Sequence, residues 1–513
     1  MKKIAILLVL MTSVFALMAC TGLTTTTTTT TTTDGSNTVS TVTSASSTTT
    51  TSSQSTTTTT TEYHNPVTIT YAAWNLGTID SLNLERLMID EFMEAYPWIT
   101  VNIIERPKVP DSSGTTEIDQ NWNEFLGARA AQGTLPDVYF TDSTETTIMN
   151  NWSRDVTSIA TADPEFMNIS PDIRNAANYG GKLMALPYAV YYFGYFINKT
   201  IFDNMNGDYP VFEDTFDEFL TKIGDVAIHN VTNGSGIAGI VGVNRMLEWY
   251  PSQLNSELGW YTYDGSILHL NGPEFEETLE LYESLMLNKS LVYDAMTPEE
   301  QLAAFGTTNA WAASKLLAYW EYTPIIGDMV AMIEAAAEDG IELELDFIGT
   351  PGTEAAHQIP VVLDLMCISS QTTNPEEAYL LAKWMSFGKA GYLKRIELST
   401  TVEGINALNM TPLQPDEDLL DAFFGIYETF TEFRKVVEYS NYIIEPNKYV
   451  PGYIKARWTG DYVVDMNLGQ LFEAVMAGTV NYADVKNSWN SLANSHLINA
   501  RTAVFNKLGV VQE

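Results

Sequence analysis

The sequence predicts an α/β fold with a mostly parallel sheet. Three short apolar runs, at residues 67–71, 99–103 and 136–140, have the length and composition of strands. Stretches with helical periodicity separate these runs, at residues 82–95 and from residue 122 to about residue 133. Because strands that alternate with helices build parallel sheets, this order predicts the α/β class.

Each element of this first region has its own pattern. The first strand alternates Val67, Ile69 and Tyr71 with threonines, and the second alternates Ile99, Val101 and Ile103 with polar residues. The helix between them ends before Pro97, as expected of a residue that cannot continue a helix. Its apolar stripe consists of Leu84, Leu87, Ile89 and Phe92.

The later part of the chain reads mainly as helices. Residues 215–226 and 274–287 have amphipathic periodicity. Asn374 is a candidate N-cap, and Pro375 suits the first helical position after it. Further helices are predicted at residues 416–437, 469–477 and 483–508. The glycine-rich run at 233–239 lacks the spacing and the lysine of a phosphate loop, so we expect a flexible connection there.

Length and charge indicate a soluble, acidic protein. With 513 residues the chain is long enough for two domains with large cores. It has 26 lysines and arginines against 64 aspartates and glutamates, a net charge of −38. That balance repels nucleic acid and anionic lipid, so neither is expected as a partner through charge.

The first 20 residues read as a lipoprotein signal peptide. Lys2 and Lys3 precede an apolar run at residues 4–18 that is too short to favour a permanent membrane span. Residues 17–20, Leu-Met-Ala-Cys, resemble the bacterial lipobox, in which the cysteine is acylated; this implies a lipid anchor on Cys20. The alternative is an ordinary signal peptide or an uncleaved anchor. Cys367 is the one other cysteine, so no intrachain disulfide is expected in the mature protein.

A threonine- and serine-rich tether follows, at residues 21–65. It includes an unbroken threonine run at residues 24–33. Few of its side chains are apolar, so burial cannot offset the entropy of ordering the segment. We therefore expect a disordered tether between a lipid and a folded body that begins near Pro66.

The stretch at residues 179–203 is the one around which the chain is organised. A Tyr-Gly-Gly-Lys turn leads to a short apolar run that ends at Pro187. The next residues, 188–197, are β-branched and aromatic and carry almost no charge. The pattern alone predicts a buried strand preceded by a turn.

The same stretch resembles the crossover segment of extracellular solute-binding proteins of carbohydrate ABC importers, the maltodextrin-binding-like family. The residues are GKLMALPYAVYYFGYFINKTIFD. Residues 360–369 resemble the second crossover of that family. The resemblance implies a two-lobed periplasmic-binding-protein-like fold (type II), with crossover hinge strands and C-terminal helices. Lobe 1 would contain residues 66–188 and 363–400, and lobe 2 would contain residues 189–362 and 401–513.

Strand ends supply the first ligand-binding candidates. In open α/β sheets ligands bind at the carboxyl ends of strands, where Trp74, Asn75 and Asp142 lie. Trp74 would stack on a sugar face, and Asp142 would accept hydrogen bonds from hydroxyls. The alternatives are core packing for Trp74 and a helix N-cap for Asp142.

The resemblance supplies the remaining candidates. It implies pocket aromatics in the region of Trp249; the alternative role for Trp249 is packing in the hydrophobic core. It also implies a pocket tryptophan near residues 311–322. There Trp320 stands beside Glu321, a pairing suited to a sugar ring and its hydroxyls. In the C-terminal helices the resemblance implies a cleft aromatic, for which Trp458 is the candidate. Tyr191, in the crossover, completes the set.

Enzymatic function is not predicted. The five histidines stand alone in sequence and form no metal-ligand spacing, so no metal and no cofactor is expected. No Gly-x-Ser-x-Gly nucleophile motif occurs. A secreted glycan-active enzyme stays open as an alternative, because a carboxylate pair can arise among 64 acidic residues. The threonine tether also suggests a surface adhesin, although adhesins tend towards strand-rich folds.

The sequence and the resemblance together predict a lipid-anchored, monomeric protein on the outer face of the cytoplasmic membrane. It would bind a small-molecule carbohydrate, an oligosaccharide, and deliver it to the permease subunits of an ABC transporter. A peptide or a polyamine is the alternative ligand, since the same fold serves those classes and an acidic protein suits a cation.

Overall fold

The computed structural model describes residues 64–79, 81–439, 441–458, 462 and 466–511. The predicted signal peptide, the predicted lipid anchor on Cys20 and the predicted tether up to residue 63 lie outside these residues. In the part described, no helix combines the length and the apolar character that crossing a membrane requires.

The described residues contain thirteen strands and twenty α-helices, numbered in chain order. The strands are β1 Val67–Ala72, β2 Ile99–Ile103, β3 Lys108–Pro110, β4 Glu117–Asp119, β5 Val138–Thr141, β6 Asn178–Tyr179, β7 Lys182–Leu183, β8 Leu186–Asn198, β9 Ala238–Val241, β10 Leu316–Tyr322, β11 Leu345–Phe347, β12 Ile359–Ile368 and β13 Tyr442–Ile444. The helices are α1 Leu84–Ala95, α2 Trp122–Ala131, α3 Thr144–Met149, α4 Thr157–Ala160, α5 Pro164–Met167, α6 Pro171–Asn175, α7 Lys199–Met205, α8 Phe216–Val226, α9 Met246–Trp249, α10 Pro251–Leu254, α11 Pro273–Met286, α12 Pro298–Phe305, α13 Ile326–Glu338, α14 Pro375–Met385, α15 Lys389–Thr401, α16 Glu417–Phe424, α17 Thr431–Glu438, α18 Tyr453–Trp458, α19 Leu468–Met476 and α20 Tyr482–Leu508.

The sheet runs in the order β2-β1-β5-β12-β8-β10-β9. β1 pairs in parallel with β2 and β5, which confirms the parallel arrangement predicted for the first region. The prediction of a mostly parallel sheet is wrong for β8 and β12, which run antiparallel to each other. β8 also runs antiparallel to β10, and β12 to β5.

The strand β8 connects the two halves of the sheet, because it pairs with a different strand in each of its own halves. Its first half, up to Tyr192, pairs with β12, and its second half, from Phe193, pairs with β10. The β8–β12 pairing shifts by one residue between Asp364 and Leu365, which marks a β-bulge at the centre of the crossover. The strands predicted at both crossovers are thereby confirmed.

Two hydrophobic cores pack against this sheet. The first contains apolar residues of β1, β5 and β12 packed against α1, α14 and α16. The second is built around buried tryptophans, including Trp249, Trp260 and Trp489. Its outer layer is the long helix α20, predicted from residue 483 onward. Both cores take residues from β8, since Phe196 belongs to the first and Tyr195 and Ile197 belong to the second.

Three local predictions need correction. The helix predicted at 416–437 is two helices, because α16 ends at Gly425 and α17 begins only at Thr431. The glycine-rich run is not wholly a connection, since Gly239 lies within β9 and its Cβ would come 2.2 Å from the carbonyl oxygen of Leu291. Asn374 stands at the N-cap position of α14, but its side chain makes no capping hydrogen bond.

Candidate functional site

The candidate site lies along one face of β8. Side chains alternate between the faces of a strand, so Tyr191 and Phe193 point to the same side. Tyr191 lines a pocket of about 320 Å³, and Phe193 lines another of about 470 Å³. The two residues are separated by about 7 Å along the strand. The two pockets therefore lie on the same face of β8, and we refer to them as the two halves of the cleft.

The first half of the cleft is lined by amides and by a buried ion pair. Asn75 donates a hydrogen bond from Nδ2 to the hydroxyl of Tyr188 (2.9 Å), and its Oδ1 has no partner in the described residues. Arg395 donates to both carboxylate oxygens of Glu85, with 3.0 Å between Nη2 and Oε2. Both charged side chains are buried, so each neutralises the other where water is scarce.

The second half of the cleft has an aromatic wall from β8 and β10. Their antiparallel register places Tyr322 opposite Phe193 and Glu321 opposite Gly194. The rings of Phe193 and Tyr322 stack at 5.5 Å with an interplanar angle of 18°. Trp320 lines the same pocket but is only 6% exposed, whereas Tyr322 is 39% exposed. A ligand would therefore meet the rings of Tyr322 and Phe193 before that of Trp320.

Trp320 is held from two sides. The ring of Trp249, which is fully buried, stacks on it at 5.3 Å and 11°. Close to its Cβ, Gly242 adopts a φ of +94°, and a Cβ there would come 2.2 Å from the Cβ of Trp320. The backbone N–H of Gly242 donates to Oδ2 of Asp294 (2.6 Å). Burial nevertheless raises the pKa of the Asp294 carboxyl.

A third pocket, of about 410 Å³, continues the cleft beyond Arg245. Arg245 and Asn244 line both this pocket and the aromatic one. Arg245 forms an ion pair of 2.7 Å with Glu248. Trp458 lines the third pocket with 52% of its surface exposed, and the guanidinium of Arg457 lies 4.9 Å from the centre of its ring. The cleft is thus long and has an aromatic face in each of two adjoining pockets.

Arg457 is fixed by hydrogen bonds and charge. It donates to Oε1 of Glu445 (2.9 Å) and to the hydroxyl of Tyr261 (3.2 Å). Burial raises the pKa of the Glu445 carboxyl, and the positive charges of Arg457 and Lys448 act in the opposite direction. The guanidinium that faces Trp458 is therefore oriented before any ligand arrives.

Trp74 and Asp142 lie near each other but line none of these three pockets. The Trp74 ring packs edge-on against Phe140 at 4.9 Å. Asp142 accepts hydrogen bonds from Nδ2 of Asn123 at 3.1 and 3.2 Å. The alternative role of Asp142 as a helix cap is wrong, because Ser143 caps α3 and accepts from the N–H of Thr146.

The structure thus distributes the predicted site residues over four places. Asn75 and Tyr191 share the first pocket, and Trp320 and Glu321 share the second with Trp249 behind them. Trp458 lies in the third pocket, and Trp74 and Asp142 are outside all three. Sequence reasoning missed several lining residues: Glu85, Phe193, Arg245, Tyr322 and Arg395. The period-two pattern of β8, which pairs Phe193 with Tyr191, is the one signal that would have found any of them.

The chemistry available in the cleft is that of binding. Aromatic faces, amides, carboxylates and guanidinium groups line it. Across the described residues there is no group of three or more histidine, cysteine, aspartate or glutamate side chains that could hold a metal ion. Such a surface can stack a ring and pair with hydroxyl groups.

Comparisons with known proteins agree with this architecture. The family model for bacterial extracellular solute-binding proteins matches residues 88–402. A search of curated proteins finds no match. Among solved structures, a sugar transporter from Rhizobium etli in an open conformation is similar, with a TM-score of 0.62 at 12% identity over 83% of this chain and 99% of that one.

Two further structures show the same fold. The sugar-binding protein MalE from Xanthomonas citri has a TM-score of 0.58 at 11% identity, over 86% of this chain and 99% of that one. An ABC substrate-binding protein from Listeria monocytogenes in complex with cycloalternan has a TM-score of 0.54 at 15% identity, over 87% and 100% of the two chains. The fold is therefore the two-lobed one of periplasmic binding proteins. Because the family model spans more than half of its residues, the chain belongs to the bacterial extracellular solute-binding proteins.

Proposed function

We propose that this protein binds an oligosaccharide in the cleft along β8 and delivers it to the permease of an ABC transporter. The observation that carries the proposal is the lining of the second pocket. Its lining combines the stacked rings of Phe193 and Tyr322 with the charged residues Glu321 and Arg245. The similar structures support it, since one holds cycloalternan and another, a cyclo/maltodextrin-binding protein, holds maltotetraose.

Each group has a role in holding a sugar without breaking a bond. The C–H face of a pyranose ring rests on Tyr322 and Phe193, which Trp320 supports from below. Glu321 accepts hydrogen bonds from hydroxyls, and the amide side chains of the first pocket, among them Asn75, lie farther along β8. Buried hydroxyls need such partners, because an unmatched buried polar group costs about 1–3 kcal/mol. Trp458 extends the cleft for a further sugar unit.

Binding would close the two lobes by a hinge motion. The hinge lies at residues 187–192 and 362–366, where the β-bulge of Asp364 interrupts the ladder between β8 and β12. We assign residues 66–188 and 363–400 to lobe 1, and residues 189–362 and 401–513 to lobe 2. A monomer anchored through Cys20 to the outer face of the cytoplasmic membrane would present its closed form to the permease.

Calorimetric titration with maltotetraose and with a cyclic glucan tests the proposal, with spermidine and a tetrapeptide as competing ligand classes. We expect at least one of the two sugars to bind with a saturable signal, and we expect no binding of spermidine or of the tetrapeptide. In E321Q, which keeps the shape of the side chain, we expect sugar affinity to fall about tenfold, as for loss of a charged hydrogen-bond partner. The matched control is E344Q, whose carboxylate pairs with Lys199 outside the cleft.

If spermidine or the peptide binds and the sugars do not, the ligand is a polyamine or a peptide and the proposed carbohydrate class is wrong. Equal affinities of E321Q and E344Q would remove Glu321 from the site. Turnover of a chromogenic glycoside by the same samples would overturn the claim that the protein is a receptor without bond chemistry.

A further inference from the structure

A separate cavity lies on the opposite face of β8 from the cleft. Its volume is about 530 Å³, within the range of small-molecule sites. Val190 and Tyr192 line it, and these residues flank Tyr191 on the strand. Because neighbouring side chains of a strand point to opposite faces, this back pocket is separated from the cleft by the sheet itself.

The floor of the back pocket is apolar and rigid. Val190, Tyr192 and Leu413 are all buried and line it from below. The ring of Tyr442 meets that of Tyr192 edge to face at 5.8 Å, and its hydroxyl donates to the carbonyl oxygen of Val437 (2.8 Å). This floor offers aromatic and aliphatic contact to a ring-sized ligand without any rearrangement.

Charge at the rim of the pocket is unevenly compensated. Glu417 and Glu438 line it, and together with Asp421 they share the guanidinium of Arg434, at 3.2, 2.6 and 2.8 Å. Arg174 lines it as well, and within the described residues its guanidinium has no carboxylate partner. Its Nη1 donates to the carbonyl oxygens of Met167 and Ile169, which fixes the orientation of the group. An oriented guanidinium without a carboxylate partner can pair with an anion.

We propose that the back pocket is a second binding site, for a small organic anion with an aromatic body and a carboxylate. The carboxylate pairs with the free nitrogens of Arg174, and the ring lies on Tyr192 and Tyr442. This inference goes beyond the proposed sugar site and does not depend on it, because the two sites share no lining residue.

Three probes with the same body and different charge test the proposal. Indole-3-acetate, indole-3-acetamide and tryptamine are titrated into the full chain and followed by saturation-transfer NMR. We expect the acetate to bind about tenfold more tightly than the amide, the factor expected for one charged hydrogen-bonded contact, and tryptamine to bind most weakly. A preference for tryptamine, equal binding of the three, or no binding of any would overturn the proposal.

Substitutions locate the binding. R174Q is expected to abolish the preference for the acetate over the amide. The control R129Q removes an arginine that lies over Phe125, outside the pocket, and is expected to keep the preference. S170W fills the pocket at a position that makes no capping hydrogen bond to its helix, and is expected to abolish binding of all three probes. Unchanged acetate binding in S170W or an unchanged preference in R174Q would show that the site lies elsewhere.

Discussion

Replacing Gly242 by alanine should displace Trp320 and weaken ligand binding. Gly242 has a φ of +94°, and an added Cβ would approach the Cβ and Cγ of Trp320 to 2.2 and 2.6 Å. Ordinary contacts of this kind begin at 3.4 Å, so the tryptophan must withdraw by at least about 1 Å. Trp249 stacks on the ring of Trp320 at 5.3 Å, so a shift of that ring also disturbs this contact. The wall that carries Tyr322 and Glu321 then shifts with its strand.

The matched control is G265A. Gly265 has nearly the same backbone conformation, with φ of +89°, but a Cβ there meets nothing within 4 Å. Both variants carry the conformational penalty of a left-handed alanine, about 1–2 kcal/mol. Overpacking adds about 1–3 kcal/mol at Gly242 alone. We expect G242A to unfold at a lower temperature than G265A. We also expect G242A to bind maltotetraose at least about tenfold more weakly, because a displacement of Trp320 by about 1 Å is large for a binding site.

Thermal unfolding and calorimetry on both variants measure the two effects separately. If G242A and G265A bind the sugar equally well, the position of Trp320 does not matter to the site. If they also unfold at the same temperature, the close approach of Gly242 to Trp320 is not a feature of the folded protein.

Three further predictions follow from buried groups. W320A should weaken sugar binding by about 1–3 kcal/mol, as for a packed aromatic at an interface, and unchanged calorimetric affinity would remove Trp320 from the site. R395M leaves the Glu85 carboxylate buried and unpaired, so it should lower the free energy of unfolding by about 3–5 kcal/mol in denaturant titration; the double variant R395M/E85Q should recover part of that loss, and no recovery would refute the pairing argument. Burial lowers the pKa of His357, whose Nε2 lies 2.8 Å from the carbonyl oxygen of Thr350. The folded state therefore favours the neutral ring, and its contribution to stability is present above the unfolded pKa near 6.5 and is lost as pH falls through that value. Denaturant midpoints at pH 7.5 and 5.5 should differ less in H357F than in the unsubstituted protein, and an equal difference would contradict this.

The sequence predicted those elements whose patterns are local. β1, β2 and both crossover strands, β8 and β12, were found because apolar runs and turn residues lie next to each other in the chain. The break between α16 and α17 was missed because the apolar periodicity continues through it. Gly239 was misread because the reason for a glycine there is a carbonyl 52 residues away, that of Leu291.

The candidate site was predictable only where its residues are neighbours in sequence. Trp320 and Glu321 could be recognised as a pair because they are adjacent. The pair of Glu85 and Arg395 joins residues 310 positions apart, and no local pattern contains it. The place of Phe193 in the aromatic wall depends on its pairing with β10, which is a matter of strand register.

Small-angle X-ray scattering with and without maltotetraose tests the central claim most directly. Two lobes that close around a sugar must give a smaller radius of gyration at saturating ligand, with the same molecular mass. We predict such a decrease. An unchanged radius of gyration at a concentration that saturates the calorimetric signal would contradict the account of a hinged receptor.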